Sequence, residues 1–300
     1  MTPSEIQHVL VFYRKQELIG TGSMRVGVWR RPYCAARTDW ISAAPCGLLR
    51  ANGVDAVSDY LYFALSSSNV QLPFGLYLKM TDLQEALATQ YVHQHTTIPV
   101  PRVLDVVHRK GNKVYMLMTK IPGVELGMRA GSIDSLSPDQ LQVLEDTLRD
   151  WFEQLRALEP PDADAVCGFG GNGIKSYRIR HDRYVGPFAS QQEFHEMLVK
   201  GYEATYGKLV APSHSKPHRI CFTHGDISPH NILLDEDMKP VGLVDWECAG
   251  WMPEYWDYTY ALYMRYPVYM EWVDLFTRIF PQYRVEFEAE CKLWEVAAPW

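Results

Sequence analysis

The stretch from Phe222 to Glu247 constrains this chain more than any other. It holds two short apolar runs, Ile232 to Leu234 and Val241 to Val244, separated by a polar segment with Asp235, Asp237 and Pro240. Apolar runs of that length broken by turn-forming residues predict a β-hairpin. A hairpin returns the chain to where it started, so Asn231 and Asp245 come to lie side by side at its open end, about 5 Å apart, as paired strands do. An amide and a carboxylate on neighbouring strand ends offer hard oxygens. These suit Mg2+, which takes one or two protein ligands and completes its shell with water and phosphate.

Asp226 precedes Asn231 by five residues. In catalytic loops of this spacing an aspartate accepts a hydroxyl proton, the asparagine holds metal, and an aspartate further on holds the bridging ion. The motif His224-Gly225-Asp226-x-x-x-x-Asn231, followed by Val244-Asp245-Trp246-Glu247, resembles the aminoglycoside phosphotransferase and choline kinase group, small-molecule kinases with a protein-kinase-like fold. The resemblance implies an α+β, two-lobe architecture: a small β-rich lobe over residues 53–121, a larger, mostly helical lobe over 122–300, and an N-terminal extension over 1–52. It further implies ATP and Mg2+ as cofactors, Asp226 as base, and Asn231 and Asp245 as metal ligands. The reaction it implies moves the γ-phosphoryl group to a hydroxyl of an aminoglycoside-, choline- or sugar-like molecule. Taken singly, Asp226 and Asn231 are also ordinary turn residues. His224 suits bracing the loop better than moving protons, since the loop already has a base.

Upstream, Tyr60 to Leu65 and Leu76 to Met80 read as strands, rich in aromatic and aliphatic residues, with Ser66 to Asn69 between them. The resemblance makes that segment the phosphate-covering loop, yet it has no glycine to let the backbone approach closely. Lys79 ends the second strand, and Glu85 opens a helix that continues through Ala86, Leu87, Tyr91 and Val92. By resemblance, Lys79 holds the α- and β-phosphates and Glu85 orients it; by chemistry alone the two are also a common solvated surface pair. Ile98-Pro-Val-Pro-Arg-Val103 is held extended by its prolines. Val114 to Ile121 reads as a buried strand ended by Pro122-Gly123. There the resemblance places the interlobe hinge, with the Thr119 carbonyl and the Ile121 amide reading the adenine edge.

Ser137-Pro138 is a helix start, and Leu141, Leu144, Leu148, Trp151, Phe152, Leu155 and Leu158 recur at helical spacing as a core stripe. Residues 162–188 read as a Gly-rich connector in which Lys175, Arg178, Arg180, His181 and Arg183 suit solvated charges first and a specific anion site second. A further helix is expected from about Gln191 to Tyr206. After the hairpin, the aromatics from Trp251 to Phe276 suit either a core or a surface for stacking on a substrate. The resemblance gives Asp257 the task of bracing the catalytic loop.

Composition narrows the partners. A net charge of −7 argues against a nucleic-acid binder, which carries a basic excess to meet phosphates. The six cysteines are scattered, without the close pairs of a zinc site, which fits a reducing compartment. Neither a leader nor a membrane span is signalled, so the expected location is cytoplasmic. Two competing readings stay open. One is a kinase-like nucleotide-binding protein with weak or no catalysis, favoured by the glycine-poor phosphate loop. The other is a metal-dependent phosphohydrolase using His224, Asp226, His230 and Asp245 as ligands.

Overall fold

In the computed structural model, residues 69–108, 113–263 and 269–296 are described. The N-terminal extension, the Tyr60 to Leu65 strand and the Ser66 to Ser68 part of the expected phosphate loop lie outside them. Four strands open the described chain as one sheet in the order β1-β2-β4-β3: β1 (Asn69–Leu72), β2 (Leu76–Asp82), β3 (Val103–His108) and β4 (Lys113–Thr119). The turn joining β1 to β2 is 73–75, and Asn69 belongs to β1 rather than to a loop. Asn69, expected in the phosphate loop, instead opens a strand that turns back through Pro73-Phe74-Gly75, where Phe74 and Gly75 have φ of 64° and 69°. Central β4 carries the continuous run Val-Tyr-Met-Leu-Met, buried along its length. Its full antiparallel register with β2 sets Lys79 opposite Met116.

Helix α1 (Leu83–His95) follows β2 directly. Asp82 caps it, its side chain accepting from the Glu85 amide at 3.0 Å, which fixes Glu85 in the first turn. Ala86 packs there with Met116 and Met118 in a small core of its own.

The rest of the chain is mainly helical, with short strands. After β5 (Val124–Glu125) and α2 (Leu126–Ala130) comes α3 (Pro138–Ala157), which starts as expected with a Ser137–Gln140 capping box and buries Leu144, Leu148, Trp151, Phe152 and Leu155. The supposed connector is structured: β6 (Cys167–Gly168) is followed by an antiparallel hairpin of β7 (Ile174–Ser176) and β8 (Arg180–Val185). The single helix expected over 191–206 is two, α4 (Gln191–Val199) and α5 (Glu203–His214), parted at Gly201 with φ of 90°.

Then come β9 (Ile220–Thr223), β10 (Ile232–Leu234), β11 (Pro240–Leu243), β12 (Gly250–Pro253) and the helices α6 (Trp256–Leu262), α7 (Met270–Ile279) and α8 (Arg284–Trp294). The expected β-hairpin is β10–β11, pairing Ile232 with Leu243, and β5 adds a third strand beside β10. Trp251, Trp256, Tyr258, Trp272 and Phe276 are all buried in one core with the α3 stripe, so these five are structural, whereas Tyr269 is exposed and Tyr266 lies outside the described residues. Apart from the turn at 72–75, the described residues form one compact unit. No described helix is long and apolar enough to cross a membrane.

Candidate active site

Connectivity alone brings the motif residues together. The loop 224–231 leaves β9 and enters β10, whereas the segment 244–249 leaves β11 and enters β12. Because β9 pairs with β12 and β10 with β11, the two segments must run side by side between the same two sheets. The Val244 amide donates to the Asn231 carbonyl at 3.0 Å, extending the hairpin to its open end as anticipated.

The loop is held from beneath. Asp257, buried on α6, accepts the amides of His224 and Gly225 at 3.2 and 2.9 Å, the bracing place the sequence suggested. Burial raises its carboxyl to about 6 although these two N–H groups pull the other way. The His224 ring donates from Nε2 to the Val244 carbonyl at 2.9 Å and accepts the Asp226 amide at Nδ1, 3.2 Å away. One donor and one acceptor make this a neutral imidazole, and burial lowers its pKa to about 4. Gly225 has φ of 77°, and a Cβ there would stand 2.3 Å from the Cys248 carbonyl oxygen, so only glycine lets the two segments touch.

Asn231 donates through Nδ2 to the Asp226 carbonyl at 2.7 Å and to Asp226 Oδ2 at 3.2 Å. Two acceptors fix the amide nitrogen toward Asp226, which directs its oxygen the other way. Asp245 has left-handed backbone, φ 69° and ψ 66°, uncommon for a residue other than glycine. There its carboxylate meets the Lys79 ammonium: Lys79 Nζ lies 2.7 Å from Asp245 Oδ1 and 2.7 Å from Glu85 Oε1. Lys79 and Glu85 are therefore no solvated surface pair, with side chains only 13% and 2% exposed. Burial opposes the lysine's charge, but the two carboxylates outweigh it and hold it protonated. Burial of Glu85 raises its own pKa against the pull of Lys79. Asp226 is pushed up to about 6, first by burial and then by the Asp245 and Glu247 charges, while hydrogen bonds from Tyr260 and Asn231 draw it down.

Four further residues belong to this group. Glu247, two residues past Asp245, brings a carboxylate oxygen within 4.8 Å of those of Glu85 and Asp245. Lys175 Nζ lies 2.5 Å from Glu247 Oε2, and the Tyr177 hydroxyl donates to Oε1. Tyr260 reaches Asp226 from α6. Glu247 was visible inside the motif without a role. The others carried no local signal, since Lys175 stands 72 residues from its partner.

The donor set fits Mg2+: Asp245 and Glu247 bring carboxylate oxygens within 4.8 Å of one another beside a lysine, the Asn231 amide adjoins them across the hairpin's open end, and among the described residues no histidine or cysteine joins that carboxylate cluster. The phosphohydrolase reading does not survive this geometry. Both ring nitrogens of His224 are spent on backbone, and His230 points to Glu125, 3.0 Å away, with its side chain 70% exposed. Just past β4, the Ile121 side chain packs on the hairpin and fills the space a Cβ on Gly242 would need, at 2.7 Å.

A twisted sheet bearing a lysine, a single helix bearing its glutamate and a helical region bearing the Asp-Asn-Asp constellation together define a protein-kinase-like α+β fold. Residues 73–300 match the model of the phosphotransferase enzyme family, APH, and the chain belongs to that family. Solved structures of aminoglycoside phosphotransferase APH(4)-Ia share the fold. One is 15% identical with a TM-score of 0.53, covering 80% of this chain and 90% of that one. A thermostable mutant of the same enzyme, in ternary complex with AMP-PNP and hygromycin B, is 15% identical with a TM-score of 0.53, covering 79% and 89%. Choline kinase LicA from Streptococcus pneumoniae is 10% identical with a TM-score of 0.44, covering 81% and 90%. No curated protein sequence matches the chain.

Proposed function

We propose that this protein is an ATP- and Mg2+-dependent phosphotransferase that moves the γ-phosphoryl group to a hydroxyl of a small molecule. The observation that carries the reading is the contact of Lys79, from the sheet, with Asp245, from the hairpin, at 2.7 Å beside the Asp226–Asn231 pair. Residues 166 positions apart meet where phosphate chemistry needs a point charge beside hard oxygens.

In this reading Lys79 binds the α- and β-phosphates and Glu85 keeps the lysine aimed. Asp245, Asn231 and Glu247 would hold a divalent cation, which would supply positive charge to offset that of the phosphates. The adenine edge meets backbone at Thr119 and Ile121, where the four-stranded sheet gives way to the mainly helical remainder of the described chain. Asp226 aligns the acceptor hydroxyl and takes its proton. The acceptor oxygen forms its bond to the γ-phosphorus as the bond to the β-phosphate oxygen breaks, and ADP leaves with that electron pair.

The fold and the chemistry of the site leave the acceptor to be found by assay. ADP release should be measured across aminoglycosides, choline and other amino alcohols, and sugars, with thermal unfolding followed with and without Mg-ATP. Stabilisation by Mg-ATP together with acceptor-dependent ADP release is the expected result. Stabilisation with no release from any acceptor would mean nucleotide binding without transfer, and no stabilisation would remove the kinase reading.

A further inference from the structure

The β7–β8 hairpin reaches into the site with two side chains that engage both oxygens of Glu247, Lys175 on Oε2 and Tyr177 on Oε1. It is fixed at two other points. Arg178 Nε lies 3.0 Å from Glu290 Oε2 on α8, with both side chains almost fully buried, and the Tyr184 hydroxyl donates to Asp82, the cap of α1. With the hairpin anchored at these two points, Lys175 is held at the edge of the carboxylate group, its own side chain 18% exposed.

The transfer proposed above takes place between Asp245, at the triphosphate end, and Asp226, at the acceptor hydroxyl. Glu247 stands by both: its oxygen is within 4.8 Å of one from Asp245, and its charge acts on Asp226. The ammonium on Glu247 is thus beside the path of the moving phosphoryl, whereas Lys79 sits at the nucleotide end between Glu85 and Asp245. Ile227, Ser228, Pro229 and His230, which link Asp226 to Asn231, include no lysine or arginine. Phosphoryl transfer spreads negative charge over three equatorial oxygens, and cationic side chains preset toward them lower the barrier.

We propose that Lys175 is a second phosphate-directed catalytic cation, facing the γ-phosphoryl oxygens while Lys79 holds the α- and β-phosphates. This rests on the phosphotransferase reading. Tyr177 keeps its hold on Glu247 as the ammonium engages phosphate. Lys175 exchanges no proton in the step, since the proton of the acceptor still passes to Asp226.

The test compares two nucleotides on the full chain by calorimetry: Mg-ADP, which lacks a γ-phosphoryl group, and Mg-AMP-PNP, which has one. Lys175→Met should lose about tenfold or more in affinity for Mg-AMP-PNP, as for one hydrogen bond to a charged group, with Mg-ADP affinity unchanged. Its kcat, with the best acceptor, should fall about 100-fold, and Lys175→Arg should recover part of that. Lys175→Gln, which keeps a hydrogen bond to Glu247, gives the same comparison if the methionine variant does not fold. Equal loss for both nucleotides, or loss for neither, would overturn the proposal and leave Lys175 a structural partner of Glu247. Failure of the unmutated protein to bind either nucleotide would instead remove the phosphotransferase reading beneath it.

Discussion

Asp226 is where burial bears most directly on the chemistry. Its carboxyl, pushed to about 6, must be ionised to accept a proton, so activity should fall as pH drops through about 6 rather than near the 3.9 of a free aspartate. Tyr260→Phe removes a hydrogen bond that favours the carboxylate and should move this acid limb to higher pH, read from kcat/KM against pH at saturating Mg-ATP. The roles of the two aspartates separate by binding. Asp226→Ala should abolish transfer yet keep the stabilisation by Mg-ATP, roughly 2.7 kcal/mol at about a hundred times the dissociation constant, whereas Asp245→Ala should lose most of it. Asn231 and Asp245 were legible because the hairpin's apolar runs and turn residues place them at its open end, whereas Lys79 and Glu85 were singled out by the family resemblance, their letters alone being those of a common surface pair. Lys175, Tyr177 and Tyr260 were not, because they reach the site through tertiary packing, and a cation in a glycine-rich stretch looks the same whether it meets water or a buried carboxylate.

At the scale of elements, the turn His224-Gly225 depends on α6. Asp257→Ala would leave two amides without their acceptor and should cost about 2 kcal/mol or more in a urea titration, with Asp257→Asn costing less because one acceptor remains. Gly225→Ala should be at least as damaging, since its Cβ meets the backbone of Cys248 rather than a side chain that could move aside. The elements that the sequence disclosed were those with a strong local pattern: the β10–β11 hairpin, with turn residues between apolar runs, and α3, with its capping box and stripe. The β7–β8 hairpin was hidden, because its register shifts and its charged positions break the alternation by which a strand is recognised. The break at Gly201 left no clear signal, because a single glycine inside a helical stretch is tolerated and by itself marks no boundary.

For the whole molecule, acid stability is set by opposing groups. His195 and His214 stack with ring centroids 4.0 Å apart, and burial lowers their pKa values to about 3 and about 4. The unfolded chain therefore binds more protons than the native one below about 6.5, and these residues withdraw stability as pH falls from there toward their folded values. Asp257 acts with the opposite sign: between about 6 and 3.9 the native state holds a proton that the unfolded state has released, so lowering the pH adds stability. His224, lowered by burial to about 4, adds to the histidine loss, and Asp226 and Glu85, raised by burial to about 6 and about 7, add to the carboxyl gain, so losses and gains nearly offset in that window. Below it His195 and Glu254, whose carboxyl is held down to about 2, continue the loss. Urea midpoints should change little from pH 6 to about 4 and then drop steeply, and His195→Gln should soften the drop.

Asp245 occupies a backbone conformation that favours glycine while carrying the carboxylate that meets Lys79. A glycine there would relax the chain by about 1 kcal/mol, whereas an alanine would keep the strain and lose the charge as well. Asp245→Gly should accordingly melt above Asp245→Ala while both are inert. Among residues without the carboxylate, glycine is thus the one that heating would spare, whereas the native aspartate sets its attraction for Lys79 against a backbone that would rather be glycine.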